Sequence, residues 1–199
     1  MNKIWNSEFK EFNRVILKYF VISLILFFGS ILTIKFILGM NPENVIKTLD
    51  NYAPKRALTH EGYKDFLAIF FHNMIACLSA ILFGFVPFIF WPIISCVKNA
   101  YFVALLLAGF EIEKFNVLVI SLVSLIPHGI FEIPAVLYSF SIGIYLCTTI
   151  TLSIVRGTSS KKYICEIKKA FIYIVIPLLL VAALIESFVV PYLIKIFII

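Results

Sequence analysis

Pro127-His128-Gly129-Ile130-Phe131-Glu132-Ile133-Pro134-Ala135 places helix breakers and two ionisable side chains between long apolar runs. Ionisable residues inside a bilayer are costly and mark the first place to look for a site. Proline lacks the amide proton a helix uses, and Gly129 admits conformations that other residues resist. The backbone is therefore predicted to leave the helical path here, with Pro127, Gly129 and Pro134 as the break positions. Irregular backbone at membrane depth persists only where protein or water satisfies it.

The flanks sharpen that expectation. Residues 115–126 would cover about 18 Å as a helix, short of a hydrocarbon core of about 30 Å, so they are predicted to dip in and return. Pro134 is acceptable at a helix start, and a helix over 134–155 is long enough for a full crossing. The tract then joins a re-entrant half-helix to a complete span.

The whole chain reads as membrane-embedded. Of its 199 residues 62% are hydrophobic and 14% charged, against the roughly 25% charged of a soluble domain. The fold class is all-α: a polytopic transmembrane bundle of about five full spans plus the re-entrant segment, forming a single domain over 1–199. The 21 Phe residues suit lipid and helix packing without any cofactor. The net charge of +6 comes from Lys and Arg beside apolar segments, which fits cytoplasmic anchoring better than nucleic acid. Cys77, Cys96, Cys147 and Cys165 are isolated, without zinc-type spacing, and read as free thiols. The first apolar run continues for about 20 residues without a small-x-small cleavage site, so it reads as a retained span.

Before that run, Trp5, Phe9, Phe12 and Ile16 recur at helical spacing, with Lys3, Lys10, Arg14 and Lys18 between them. This predicts an interfacial amphipathic helix at about 3–18. A first span over 19–38 follows, with Lys35 near enough to its end to snorkel. The loop at about 41–65 begins with Asn41 and Pro42, an N-cap and first-turn pair that predicts a surface helix over 42–50. The second span is placed at 66–90, ending where Pro87 and Pro92 flank Trp91, and the third at 93–110. A basic loop over 156–169 precedes a last span that starts near Phe171 and is kinked or restarted at Pro177.

Counting positive charge places Lys3, Lys10, Arg14, Lys18, Lys98, Arg156, Lys161, Lys162, Lys168 and Lys169 in the cytoplasm. Lys47, Lys55, Arg56, Lys64, Lys114 and Lys195 fall outside. The expected location is a bacterial cell membrane, multi-pass, with the N-terminus cytoplasmic and the C-terminus outside. An inverted six-span arrangement scores about as well.

His128 and Glu132 are four apart, which would put them on one helical face. They read either as a proton-linked or ion-binding pair or as groups that hold a broken helix by bonding its exposed amides. Glu186 lies in an apolar span and requires a polar partner or a proton; Lys98, His128 or a helix N-terminus are the partners on offer. It is expected to face the tract. Asn73 and Asn99 could bond across helices, worth about 0.6 to 2 kcal/mol each. There is no HExxH, GxSxG, P-loop or Rossmann fingerprint. A His and a Glu alone define no nucleophile, metal site or cofactor site, so the chain reads as non-enzymatic, with no metal and no cofactor expected. An intramembrane enzyme or an ion-coupled transporter using His128 and Glu132 remains the remoter reading.

The tract Pro127-His128-Gly129-Ile130-Phe131-Glu132 resembles the PHGIxE tract of the stage II sporulation protein M family of polytopic membrane proteins. Asn73, Gly84, Asn99 and Ala183-Leu184-Ile185-Glu186 add supporting matches. One departure is Asn99-Ala100, where the family pattern usually has Asn-Gly. The resemblance implies a multispan bundle and, for the name-giving members, a membrane scaffold that joins peptidoglycan-degrading proteins during engulfment of the forespore. Other members resemble accessory proteins encoded beside ABC transporters or in circular bacteriocin clusters, with roles in maturation, secretion or immunity. The expected partners are membrane lipids and other membrane proteins, among them cell-wall hydrolases or an ABC transporter, with homo-oligomerisation open.

Overall fold

The computed structural model describes residues 7–39, 41–52, 62–158 and 163–197. They form helices α1 Ser7–Gly39, α2 Pro42–Tyr52, α3 Gly62–Phe83, α4 Trp91–Ile112, α5 Val117–Arg156 and α6 Ile164–Phe197. All except α2 are long and apolar enough to cross a membrane, giving five spans in one all-α bundle. Leu32, Phe36, Ile75, Leu118, Ile130 and Ile154 stay more than half exposed on these spans. Such surface is a liability in water and is ordinary against lipid, whose tails are as apolar as the side chains.

Helix α5 is the hub, packing against α1, α3, α4 and α6. Its stretch from Ser141 to Cys147 is buried throughout. Two glycines let backbone meet backbone there. A Cβ on Gly84 would lie 2.6 Å from the Gly143 carbonyl oxygen, and one on Gly143 would lie 2.7 Å from Cγ of Pro92 and hard against the Ala80 carbonyl. Small residues at a helix crossing permit this approach, which is how spans gain packing energy in lipid. Buried polar groups add direction: Ser141 Oγ donates to Ser23 Oγ at 3.2 Å, joining α5 to α1. Ala100, in the place where a glycine was anticipated, is fully buried in the same core.

Three cross-links order the two ends of the bundle. At one end Tyr163 donates its hydroxyl to Glu11 at 2.6 Å, and the Phe88 amide donates to Thr151 Oγ1 at 3.0 Å. At the other, Lys35 Nζ lies 3.0 Å from Glu111 Oε2, joining the end of α1 to the end of α4.

The expected break at Pro127, Gly129 and Pro134 is not there. Val117–Arg156 is one helix, so the re-entrant half-helix gives way to a single long crossing. The strain appears instead as a π-helical turn over Ser121–Leu125, just before Pro127. A wider turn takes up the proline's missing amide and its ring without ending the helix. The same device recurs in α6, where π turns Phe171–Val175 and Ile185–Val189 precede Pro177 and Pro191. Each π turn ends two residues before a proline. Pro134 sits inside regular α-helix and is exposed.

Other boundaries move as well. The second span ends at Phe83, earlier than the expected 90, because Gly84 enters the contact with Gly143 and a turn follows with Phe88 and Phe90 in left-handed conformation (φ 67° and 50°). The surface helix after Asn41 extends to Tyr52. Of the expected amphipathic helix, Lys3 and Trp5 lie outside the described residues, and the rest runs straight into α1. Its apolar stripe is not spread on the membrane surface: Phe9, Phe12 and Ile16 are fully buried against Tyr145, Tyr163 and Ile167. In the basic loop Lys161 and Lys162 lie outside the described residues, while Lys168 and Lys169 already belong to α6.

Candidate functional site

The π turns position the site. His128 follows the π turn of α5 and Glu132 lies one helical turn further on, so both face the same side, while Glu186 sits inside the second π turn of α6. Nitrogen or oxygen donors of all three fall within 4.8 Å of one another. His128 Nε2 is 3.9 Å from Glu132 Oε2, too long for a hydrogen bond and within reach of an ion pair if the ring is protonated. The two side chains are largely covered, with 13% and 26% of their surface exposed. The Nδ1 of His128 is buried and has no hydrogen-bond partner among the described residues.

Glu132 also helps wall a cavity of about 50 Å³ with Asn99, Phe27 and Val136, where α1, α4 and α5 meet. That volume admits water, since one molecule needs only about 10–15 Å³. Asn99 holds itself in place there by donating from Nδ2 to the Ser95 carbonyl at 2.8 Å.

Of the residues singled out from sequence, the fold gathers His128, Glu132 and Glu186 and brings Asn99 to the wall behind Glu132. Asn73 is half-buried on α3. Lys98 is exposed on α4 and forms no ion pair with Glu186, because its helix turns Asn99 inward and Lys98 outward. Pro127 and Gly129 shape the approach through the π turn, not through a chain break.

Sequence reasoning missed the serines. Among the described residues, the buried side-chain polar atoms without a hydrogen-bond partner are Ser121 Oγ, His128 Nδ1 and Ser187 Oγ. All three lie in or just after the two π turns that bracket the cluster. Ser187, directly after Glu186 in an apolar run, was the available signal.

One imidazole and two carboxylates can share protons or hold a divalent cation.

Comparison with known proteins gives a family and no role. Residues 19–191, which contain the whole cluster, match the family described as stage II sporulation protein M. An uncharacterized protein of Methanocaldococcus jannaschii is 29% identical over 176 residues, which cover 84% of this chain and 76% of that protein. No solved structure matches the chain.

Proposed function

This chain belongs to the stage II sporulation protein M family, and on that premise we propose that it is a non-enzymatic membrane subunit, a scaffold or accessory component that holds partner proteins together in the bilayer. The observation that carries this reading is the closed centre of the bundle, where Gly84 and Gly143 meet backbone to backbone and Pro92 and Ala80 fill the remaining space. Alternating-access transport needs one half of a bundle to rock against the other. A centre in direct backbone contact resists that motion and suits a platform whose outer faces stay fixed.

The proposed orientation keeps the N-terminus in the cytoplasm and the C-terminus outside. It is supported by the cross-links Tyr163–Glu11 and Phe88–Thr151, which gather the start of α1, the α3–α4 turn and the start of α6 at one end of the bundle. Lys10, Arg14, Lys18, Arg156, Lys168 and Lys169 belong to segments at that end, and such enrichment marks the cytoplasmic side.

The test is purification of the tagged chain from its native membranes in mild detergent after in-cell cross-linking. A partner recovered in fixed ratio to the chain is the expected result. Cell-wall hydrolases would make the role a scaffold, and a peptide precursor with an ATPase would make it an accessory to export or immunity. Recovery of the chain alone, with no cross-linked neighbour above a control membrane protein, would overturn the platform reading.

A further inference from the structure

We propose that His128, Glu132 and Glu186 bind a divalent transition-metal cation, best matched by Zn²⁺, which clamps α6 onto α5. This stands independently of the platform role, and its failure would leave that role untouched.

The donor set comes first. One imidazole nitrogen with two carboxylate oxygens is a ligand set that zinc accepts at about 2.0–2.2 Å, and three protein ligands leave a fourth position for water. Around a tetrahedral ion such donors stand about 3.3 Å apart. The separation of 3.9 Å between His128 Nε2 and Glu132 Oε2, and the 4.8 Å limit for the whole set, are each closed by small side-chain rotations. Calcium is the poorer match, because it asks for six to eight oxygen ligands.

Charge comes second. When both acids are ionised, the cluster brings two negative charges between helices that lipid surrounds, and a divalent cation balances them with no net charge left over. Proton sharing would also lower the charge, and the experiment below separates the two.

The surroundings come third. With Nε2 of His128 toward Glu132, its other ring nitrogen Nδ1 is buried and free to take the carbonyl or carboxylate partner that a ligating histidine usually has. Ser187, 93% buried by its 7% exposure, follows Glu186 in the same π turn with its hydroxyl unpartnered. π turns placed on both contributing helices are the kind of local irregularity that re-aims side chains at sites.

The test uses the full-length chain in detergent, stripped with EDTA and reloaded with ZnCl₂ alone. After removal of free metal, elemental analysis should find about one zinc per chain, and the thermal midpoint should fall on chelation and recover on reloading. Glu186→Gln and His128→Ala should each weaken zinc retention more than tenfold. Loading with Co²⁺ should give the intense visible absorption of a low-coordinate site in wild type and not in Glu186→Gln. Wild type that retains no zinc and whose midpoint ignores both EDTA and ZnCl₂ would overturn the proposal without recourse to any variant. Zinc retained equally by a folded Glu186→Gln protein would overturn it too, by placing the metal elsewhere.

Discussion

Gly143→Ala isolates the contact that closes the bundle. The new methyl carbon would lie 2.7 and 2.9 Å from Cγ and Cβ of Pro92 and closer still to the Ala80 carbonyl oxygen. Carbon atoms rest at about 3.5–4.0 Å, so relief requires a shift of roughly 1 Å. Neither neighbour can provide it by rotating, since one is a proline ring and the other is backbone. Over-packing of this kind costs about 1–3 kcal/mol, while replacing a mid-helix glycine by alanine returns up to about 1 kcal/mol. The carbonyl clash puts the net loss at about 1–2 kcal/mol. Gly29→Ala is the matched control, because a Cβ there meets nothing within 4 Å on the lipid-facing side of α1. Unfolding in mixed detergent, followed by circular dichroism, should separate the two variants in opposite directions from wild type. Equal stability of Gly143→Ala and Gly29→Ala would refute the backbone contact.

Gly129→Ala should be neutral or stabilising by up to about 1 kcal/mol in the same assay, since the nearest neighbour of its Cβ is Ile133 Cδ1 at 3.6 Å and the helix is continuous there; a clear loss would restore the broken-helix picture. Glu186→Leu in the EDTA-treated protein should be less stable than Glu186→Gln by about 1–3 kcal/mol, because leucine strands the polar groups of His128 and Glu132; equal stability would remove the cluster's structural role. Tyr163, outside the spans, should lose about 1 kcal/mol on replacement by Phe. The Glu11 carboxylate accepting its hydroxyl pushes the phenol from 10.0 up to about 12, so its contribution is complete below pH 10 and lost as pH rises to about 12; a Tyr163→Phe protein with an unchanged alkaline stability profile would contradict this. A cysteine introduced at Thr158 should label from the cytoplasm and one at Lys195 from outside, and labelling of both from one side would overturn the orientation.

The sequence carried the span count, because apolar length is a local signal, and it singled out the tract by its isolated ionisable residues. It also pointed Glu186 toward His128, since a buried acid must find a partner somewhere in the bundle. What it misread was the backbone between them. Pro127 looks like a helix end and Pro177 like a kink or restart, yet each, like Pro191, follows a π turn that ends two residues earlier inside a continuing helix. Whether a proline ends a helix or widens it depends on what the adjoining helices pack against, and no local pattern records that. The burial of Phe9, Phe12 and Ile16 was hidden for the same reason: their stripe is identical whether a membrane surface or α6 covers it. Ser23 and Ser141 gave no sign of meeting because they are far apart in the chain.

The meeting of α5 and α6 at a polar cluster is the claim on which the rest depends. It is tested most directly by cross-linking in intact membranes, with Glu132→Cys and Glu186→Cys combined in a Cys165→Ser background that removes the exposed native thiol. A short bifunctional thiol reagent should join the pair within one chain, as side-chain donors within 4.8 Å of each other require, and should not join Glu132→Cys to Lys195→Cys. Adding Pro191→Ala should weaken the link by relaxing the π turn that holds Glu186 in place. If each cysteine reacts singly but the first pair never joins, α5 and α6 do not meet at these residues, and the account of the site is wrong.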